Sequence, residues 1–568
     1  MNSKYGIKSS RIQINIHKSQ FTITKKAQSL YSYLYMRLFL KYLYITPFLL
    51  LFASCTNKAD GNRDNLVFRY NENAAVNSLD PAFAKIRPSI WICNQLYNGL
   101  VQLDDSLHIK PDIAKSWVIS PDGKTYTFTL RRDVYFHKNI LFGKDSTRTV
   151  TAQDFTYSLN RLRDDKVAAP GGWILQSVEN FRAVNDSVFE IKLNKTFPAF
   201  LGLLTMRYAS VVPHEAFDKP GYDFRSHPIG TGPFEFKIWE ENVKLVLRKN
   251  PLYFERDAQG VQLPYLEAVA VTFLPDKQSG FLQFVQGKLD FVSGLDPSYK
   301  DEILTPKGEL QPKYRNSVTM ITGPYLNTEY MGFRMDGDNK AVKDKRLRQA
   351  LNYGFDRNKM ILYLRNGMGT GAVNGIIPAG LGGYGAEGYT YNPDKARELV
   401  EAYKKETGDQ NPKIQMSTTA SYLDIGEYLQ REWQKIGLVV EVDVNPPTTL
   451  TQSISTGKAA FFKATWIADY PDAENYLSLF YSKNFAPDGP DYTHFKSAEF
   501  DRLYEAAFLE TNDAKRFELY KQMDALVIKE APVIPLFYDK ASRFTRKNIT
   551  GLGINPLNAL VLKRVKKN

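Results

Sequence analysis

KIQMSTTASYLDIGEYLQREWQKIGLVVEVDVNPPTTLTQSISTGKAAFFKATWIADY, residues 413–470, is the stretch whose pattern decides the fold. Residues 413–416 read as a short strand. Ile425, Tyr428, Leu429, Trp433 and Ile436 then recur at helical spacing, with Gly437 as the stop. Residues 438–444 read as a second strand, 450–455 as a second helix and 460–466 as a third strand. Strands alternating with helices in this way predict a mostly parallel sheet covered by helices, an α/β fold. Open α/β sheets bind ligands beyond the carboxyl ends of their strands, and Asp469 stands just past the last of these. Its position alone predicts a ligand contact.

Working outward, residues 66–70 read as a strand, followed by a loop in which Pro81 biases Asp80 toward an extended conformation. A helix is expected over 89–97. Pro121-Asp122-Gly123 marks a tight turn, and Tyr126, Phe128 and Leu130 alternate along 125–131 as one face of a half-buried strand, making a hairpin. Thr151 and Asp154 have capping-box spacing and open a helix with Phe155, Leu159 and Leu162 on its inner side.

The amino-terminal region carries an address. Cys55 follows Phe48-Leu49-Leu50-Leu51-Phe52-Ala53-Ser54, an apolar run ending in small residues, with Arg37 and Lys41 ahead of it. The apolar segment 42–53 is too short to span a bilayer at roughly 20 residues per crossing and reads as a cleaved lipoprotein signal. Met36 precedes both charges, so translation is expected to start there, with 1–35 an upstream extension. Acyl chains on Cys55 would bury about 0.8 kcal/mol per CH2, and residues 56–64 would be the tether.

Eight cations and no acid lie in the first 54 residues, so their removal takes the formal charge from +13 to +5. No Lys/Arg block interleaved with aromatics points to nucleic acid. Cys93 is the only other cysteine and is expected in a core. The sequence has no Gly-x-Ser-x-Gly elbow, Cys-x-x-Cys, P-loop or His-Glu-x-x-His. In His214-Glu215-Ala216-Phe217-Asp218 an aspartate stands where a zinc-protease helix needs its second histidine. The six histidines are too scattered to propose a metal site. A non-enzymatic protein without cofactor is expected.

Ala114-Lys115-Ser116-Trp117, the run Asp122-Gly123-Lys124-Thr125-Tyr126-Thr127-Phe128, and Val150-Thr151-Ala152-Gln153-Asp154-Phe155 resemble extracytoplasmic solute-binding proteins of ABC importers. The similarity is to the oligopeptide, dipeptide and nickel family. Pro228-Ile229-Gly230-Thr231-Gly232-Pro233-Phe234, the helix Lys345-Arg346-Leu347-Arg348-Gln349-Ala350-Leu351 with Asp356-Arg357, and Trp466-Ile467-Ala468-Asp469-Tyr470-Pro471 continue the resemblance in the family's order. It extends from about residue 65 to the end.

The resemblance implies a periplasmic-binding-protein type II-like architecture: two hinged α/β lobes plus an inserted smaller lobe. Residues 65–99, 221–325 and 540–568 would form the first lobe, 100–220 the insertion and 326–539 the second, with hinge crossings at 325–330 and 538–544. It implies a monomer that captures a peptide ligand and docks on a membrane permease driven by partner ATPase subunits. Asp469 would pair with the peptide's α-ammonium while cleft backbone pairs with the peptide main chain. Trp466 would wall the pocket, and Tyr325 and Tyr538, or its neighbour Asp539, would add contacts. Lys463 departs from the pattern, since some oligopeptide binders carry arginine there. Lysine offers a point charge rather than a planar fork, which weakens the case for reading a peptide carboxylate. The alternatives are the same fold holding an oligosaccharide, metal chelate or haem, or an exported hydrolase or sensory lipoprotein.

Overall fold

The computed structural model describes residues 66–568; the expected signal, the start at Met36 and the lipidated Cys55 with its tether lie outside the described residues. The stretch 413–470 folds as its periodicity predicts. Ile414–Thr418, Val440–Val444 and Phe461–Ile467 are strands, separated by helices Leu423–Gln434 and Pro447–Ser455. The first strand pairs in parallel with both others. The longer helix buries Ile425, Leu429 and Trp433, and the Trp433 indole donates to the Leu351 carbonyl at 2.9 Å. Gly437 takes φ 85°, the left-handed turn that lets the chain leave the helix.

The whole sheet is mixed rather than mostly parallel, which corrects the expectation drawn from one stretch. Its order runs Val440–Val444, Ile414–Thr418, Phe461–Ile467, Val318–Phe333, Val533–Arg546, Phe291–Ser293, Val67–Glu72, Ala268–Phe273, Lys244–Lys249, Phe234–Glu240. Parallel groups flank two long central strands, Val318–Phe333 and Val533–Arg546, which run antiparallel to each other and to the strands beside them. Local alternation of strand and helix sees only the parallel groups; the strands that join them are far apart in sequence. The two central strands carry the chain between the α/β halves. Their pairing breaks midway: between Pro324 opposite Lys540 and Thr328 opposite Tyr538, three residues face only Asp539. Such irregularities bend a strand and re-aim its side chains.

A separate four-stranded antiparallel sheet holds Ala114–Ile119, Thr125–Leu130, Val188–Leu193 and Val178–Asn185 in that order. Tyr126, Phe128 and Leu130 face its core, as their alternation predicts. Helix Ala152–Arg163 buries Phe155, Leu159 and Leu162 against it. Its capping box forms, with the Thr151 amide donating to Asp154 Oδ2 at 2.8 Å. Cys93 is fully buried.

The glycines of residues 228–234 are there for close approach. A Cβ on Gly230 would stand 1.9 Å from the Leu96 carbonyl oxygen, and one on Gly232 would stand 2.5 Å from that of Gln95. His137 locks the same loop: the Gly230 amide donates to its Nδ1 at 3.1 Å, and its Nε2 lies 3.0 Å from the Gly232 carbonyl. Burial draws its pKa down to about 4, so the ring is neutral. In the helix Lys345–Tyr353, Arg348 is buried and donates to the carbonyls of Glu530 and Ala531, both at 2.9 Å. Arg357 donates to those of Pro535 and Tyr389. Both motif arginines hold backbone, closing carbonyls that would otherwise be buried without donors.

Candidate ligand cleft

A cavity of about 320 Å³ opens between the halves. Asp469, Tyr325, Tyr208, Arg207, Arg87 and Trp91 are among the residues on its wall. Asp469 follows the end of strand Phe461–Ile467, where the alternation pattern located it. Tyr325 falls in the pairing break of the central strands. One hydrogen bond ties the two regions together: the Ala468 amide donates to the Leu326 carbonyl at 2.9 Å. Each of these two wall residues is therefore one position from the bond that fixes its neighbour.

The Asp469 side chain is exposed to the cavity yet ringed by protein mass, the setting of a cleft wall. That burial pushes its pKa above the ordinary carboxylate range, while the Asn475 amide pulls the other way. Among the described residues Asp469 forms no ion pair. Asn475, on the short helix Glu474–Leu477, organises it. Its Oδ1 accepts from the Asp469 amide at 3.1 Å and from Trp466 Nε1 at 2.9 Å, and its Nδ2 faces Asp469 Oδ2 at 3.4 Å. The Tyr208 hydroxyl is pushed up to about 12 by burial and by the charge of Asp469. Arg207 is held by carbonyls, donating to Tyr97 O at 3.2 Å and Thr205 O at 2.8 Å. Burial lowers its pKa and Asp112 opposes that.

Of the five expected contacts, Asp469 and Tyr325 line this cavity, whereas Trp466, Lys463 and Tyr538 are not among its lining residues. Trp466 reaches Asp469 only through Asn475. The Tyr538 hydroxyl donates to the Gly375 carbonyl at 2.8 Å. Lys463 is 5 % exposed and forms an ion pair with Glu329; it also donates to the Ala464 carbonyl at 2.6 Å and lies 4.1 Å from the centre of the Tyr422 ring. Burial alone would lift the Glu329 carboxyl, but the attraction of Lys463 holds it below its ordinary range, while burial draws the Lys463 ammonium down against the pull of Glu329. Asp539 is paired with Arg365 at 3.0 Å; burial still leaves its pKa raised.

Asn475, Tyr208, Arg207 and Arg87 were not singled out by sequence. Asn475 stands six residues after Asp469 on a one-turn helix whose composition marks no ligand role. The others come from segments whose only local signal is a helix or a loop.

A cleft at the strand ends, between two α/β halves and walled by a carboxylate that no cation of the described chain answers, is the site of a protein that captures a solute. The chain belongs to family 5 of the bacterial extracellular solute-binding proteins, whose middle-region model matches residues 108–488. It is 25 % identical over 485 residues to the dipeptide-binding protein of Escherichia coli K12, covering 81 % of this chain and 87 % of that one. It is 31 % identical over 474 residues to heme-binding protein A of Haemophilus influenzae, covering 78 % and 81 %. Among solved structures, the ABC transporter-associated periplasmic binding protein DppA of Helicobacter pylori, in complex with the peptide STSA, shares the fold. Its TM-score is 0.74 at 24 % identity, covering 88 % of this chain and 98 % of that one.

Proposed function

We propose that this chain is the lipid-anchored substrate-binding component of an ABC importer, capturing dipeptides or oligopeptides and delivering them to a membrane permease. The observation that carries this reading is Asp469: a carboxylate on the wall of a ligand-sized cavity, its pKa raised by surrounding protein, with no ion-pair partner among the described residues. A peptide's α-ammonium supplies the missing charge. Main-chain groups of the cleft pair with the peptide backbone as an added strand would, which fixes register without reading side chains. Tyr325, in the break of the central strands, lies where a hinge would bend. Residues 326–539 would close over 65–99, 221–325 and 540–568, with 100–220 as the inserted lobe. Closure is driven only by contacts that the closed state makes and the open state lacks.

Trp466 acts as a positioning residue, through Asn475. Cys55 is the anchor that keeps a monomeric, non-enzymatic binder near its permease, whose partner ATPase supplies the energy. Mass spectrometry of ligands released from the purified protein tests the reading: peptides are expected, and their absence together with no calorimetric response to a peptide library would sink it. The 31 % identity to heme-binding protein A favours a second reading, haem or a metal chelate as cargo. A visible absorption band in the purified protein would select that reading.

A further inference from the structure

Beside the main cavity lies a second one of about 200 Å³; Arg87 and Trp91 line both. It sits at the carboxyl ends of the parallel strands Val67–Glu72 and Phe291–Ser293, the edge at which open α/β sheets take ligands. Glu72, the last residue of its strand, is 1 % exposed. Among the described residues its Oε1 has no hydrogen-bond partner, and neither has the buried Oγ of Ser293 on the same cavity. Buried polar atoms in native proteins are as a rule hydrogen-bonded, and leaving one unmet is costly. A carboxylate oxygen needs a donor and a hydroxyl can accept or donate, so a donating group placed between them would meet both.

The charges narrow the choice. Asp296, the other carboxylate of this cavity, is engaged by Lys277 Nζ at 2.7 Å and by the amide and hydroxyl of Ser298. Glu72 has Arg87 as its one ion-pair partner among the described residues; burial lifts its carboxyl to about 7 against the pull of Arg87, and its charge in turn raises the buried Tyr70 hydroxyl. The Arg87 Nη2 stands 3.7 Å from Glu72 Oε2, beyond hydrogen-bond reach, on a side chain 43 % exposed that lies 4.9 Å over the Trp91 ring. Asp296 is thus fully engaged, and the loosely paired carboxyl of this cavity is Glu72. Trp91 and the stacked pair Phe281 and Tyr299, 4.7 Å apart, make an aromatic wall. Such a wall packs a methylene stem and attracts a cation. The volume is below the roughly 300–1,000 Å³ of whole-ligand sites and suits one side chain.

We propose that this second cavity takes a basic side chain of the captured ligand, its ammonium or guanidinium donating to Glu72 Oε1 and Ser293 Oγ and its stem lying on the aromatic wall. The inference rests on the peptide reading above. Arg87, which faces both cavities, competes with that side chain for Glu72.

Tripeptides with lysine at each position in turn, each matched with its norleucine counterpart, are titrated calorimetrically into the full chain. At one position the lysine peptide binds at least tenfold tighter, and Glu72→Gln lowers it to the norleucine value. Glu72 is buried in the sheet, so Arg87→Ala serves as the second variant: removing the internal competitor widens the lysine preference severalfold. Equal binding of lysine and norleucine peptides at every position overturns this inference alone. So does a preference that survives Glu72→Gln or narrows in Arg87→Ala. Failure of every peptide to bind overturns it together with the peptide reading.

Discussion

Replacing Asp469 with asparagine keeps the shape of the side chain and removes its charge. Its hydrogen bonds among the described residues are with Asn475, which can meet an amide as well as a carboxylate, so the fold is expected to survive. A hydrogen bond to a charged group contributes about 1.5–3 kcal/mol. At about 1.4 kcal/mol per tenfold, the wild type should bind a free tripeptide roughly 10- to 150-fold tighter than its N-acetylated form. In Asp469→Asn that ratio should collapse toward unity, because acetylation then removes a charge nothing answers. Calorimetry on two proteins and two ligands gives the coupling directly, as a double-mutant cycle does. The wild-type affinity should also rise with pH and level off. Burial holds the Asp469 proton more tightly than usual in the free protein, and the ammonium requires that proton to leave, so binding weakens as pH falls through the raised pKa. Equal affinity of wild type for free and acetylated peptides, or an undiminished ratio in Asp469→Asn, refutes the assignment.

Other perturbations reach the same structure. Trp466→Phe removes the indole donor to Asn475 and should weaken peptide binding about three- to tenfold, at roughly 0.5–1.5 kcal/mol per neutral hydrogen bond; an unchanged calorimetric affinity would remove Trp466 from the positioning role. Glu329→Gln leaves the buried Lys463 ammonium without its counter-charge and should cost about 3–5 kcal/mol, read as a lowered denaturation midpoint. Gly230→Ala forces a methyl group onto the Leu96 carbonyl and should cost about 3 kcal/mol of overpacking by the same measurement. Asp491 is buried with its carboxyl raised to about 8 by burial. The folded state thus holds its proton more tightly than the unfolded chain. Stability falls as pH climbs from about 4 toward 8, by at most about 1.4 kcal/mol per pH unit. In unfolding titrations at pH 5 and 8, Asp491→Asn should show a smaller loss than wild type.

What sequence made legible follows from the range of each signal. The 413–470 stretch was readable because its elements pair with one another and its apolar residues recur within one helix. Asp469 was readable because the end of a strand is a local property. The mixed character of the sheet was not, since Val318–Phe333 meets Val533–Arg546 across more than two hundred residues, and neither strand records its partner in its own pattern. Asn475 escaped for a related reason: its three contacts depend on how the short helix Glu474–Leu477 folds back over the strand end. The glycines of 228–234 were visible as a motif, but their cause, the carbonyls of Gln95 and Leu96, lies on a helix outside it.

Lys463 shows how a partner changes the meaning of a residue. By sequence it is a cation six positions before the cleft-wall aspartate, a point charge where a planar fork would read a peptide carboxylate better. In the fold it is sealed by Glu329, 134 residues away, and Arg365 is likewise matched by Asp539. Each cation carries its own anion, so neither offers net positive charge to a ligand without first breaking a buried pair, which costs more than one surface contact returns. Asp469 is in the opposite state, a carboxylate with no cation paired to it among the described residues. On the peptide reading, this asymmetry makes the amino terminus the fixed end of the ligand and leaves the carboxyl end unanchored by these two groups. A cleft built this way holds register from one end and tolerates variation in length at the other.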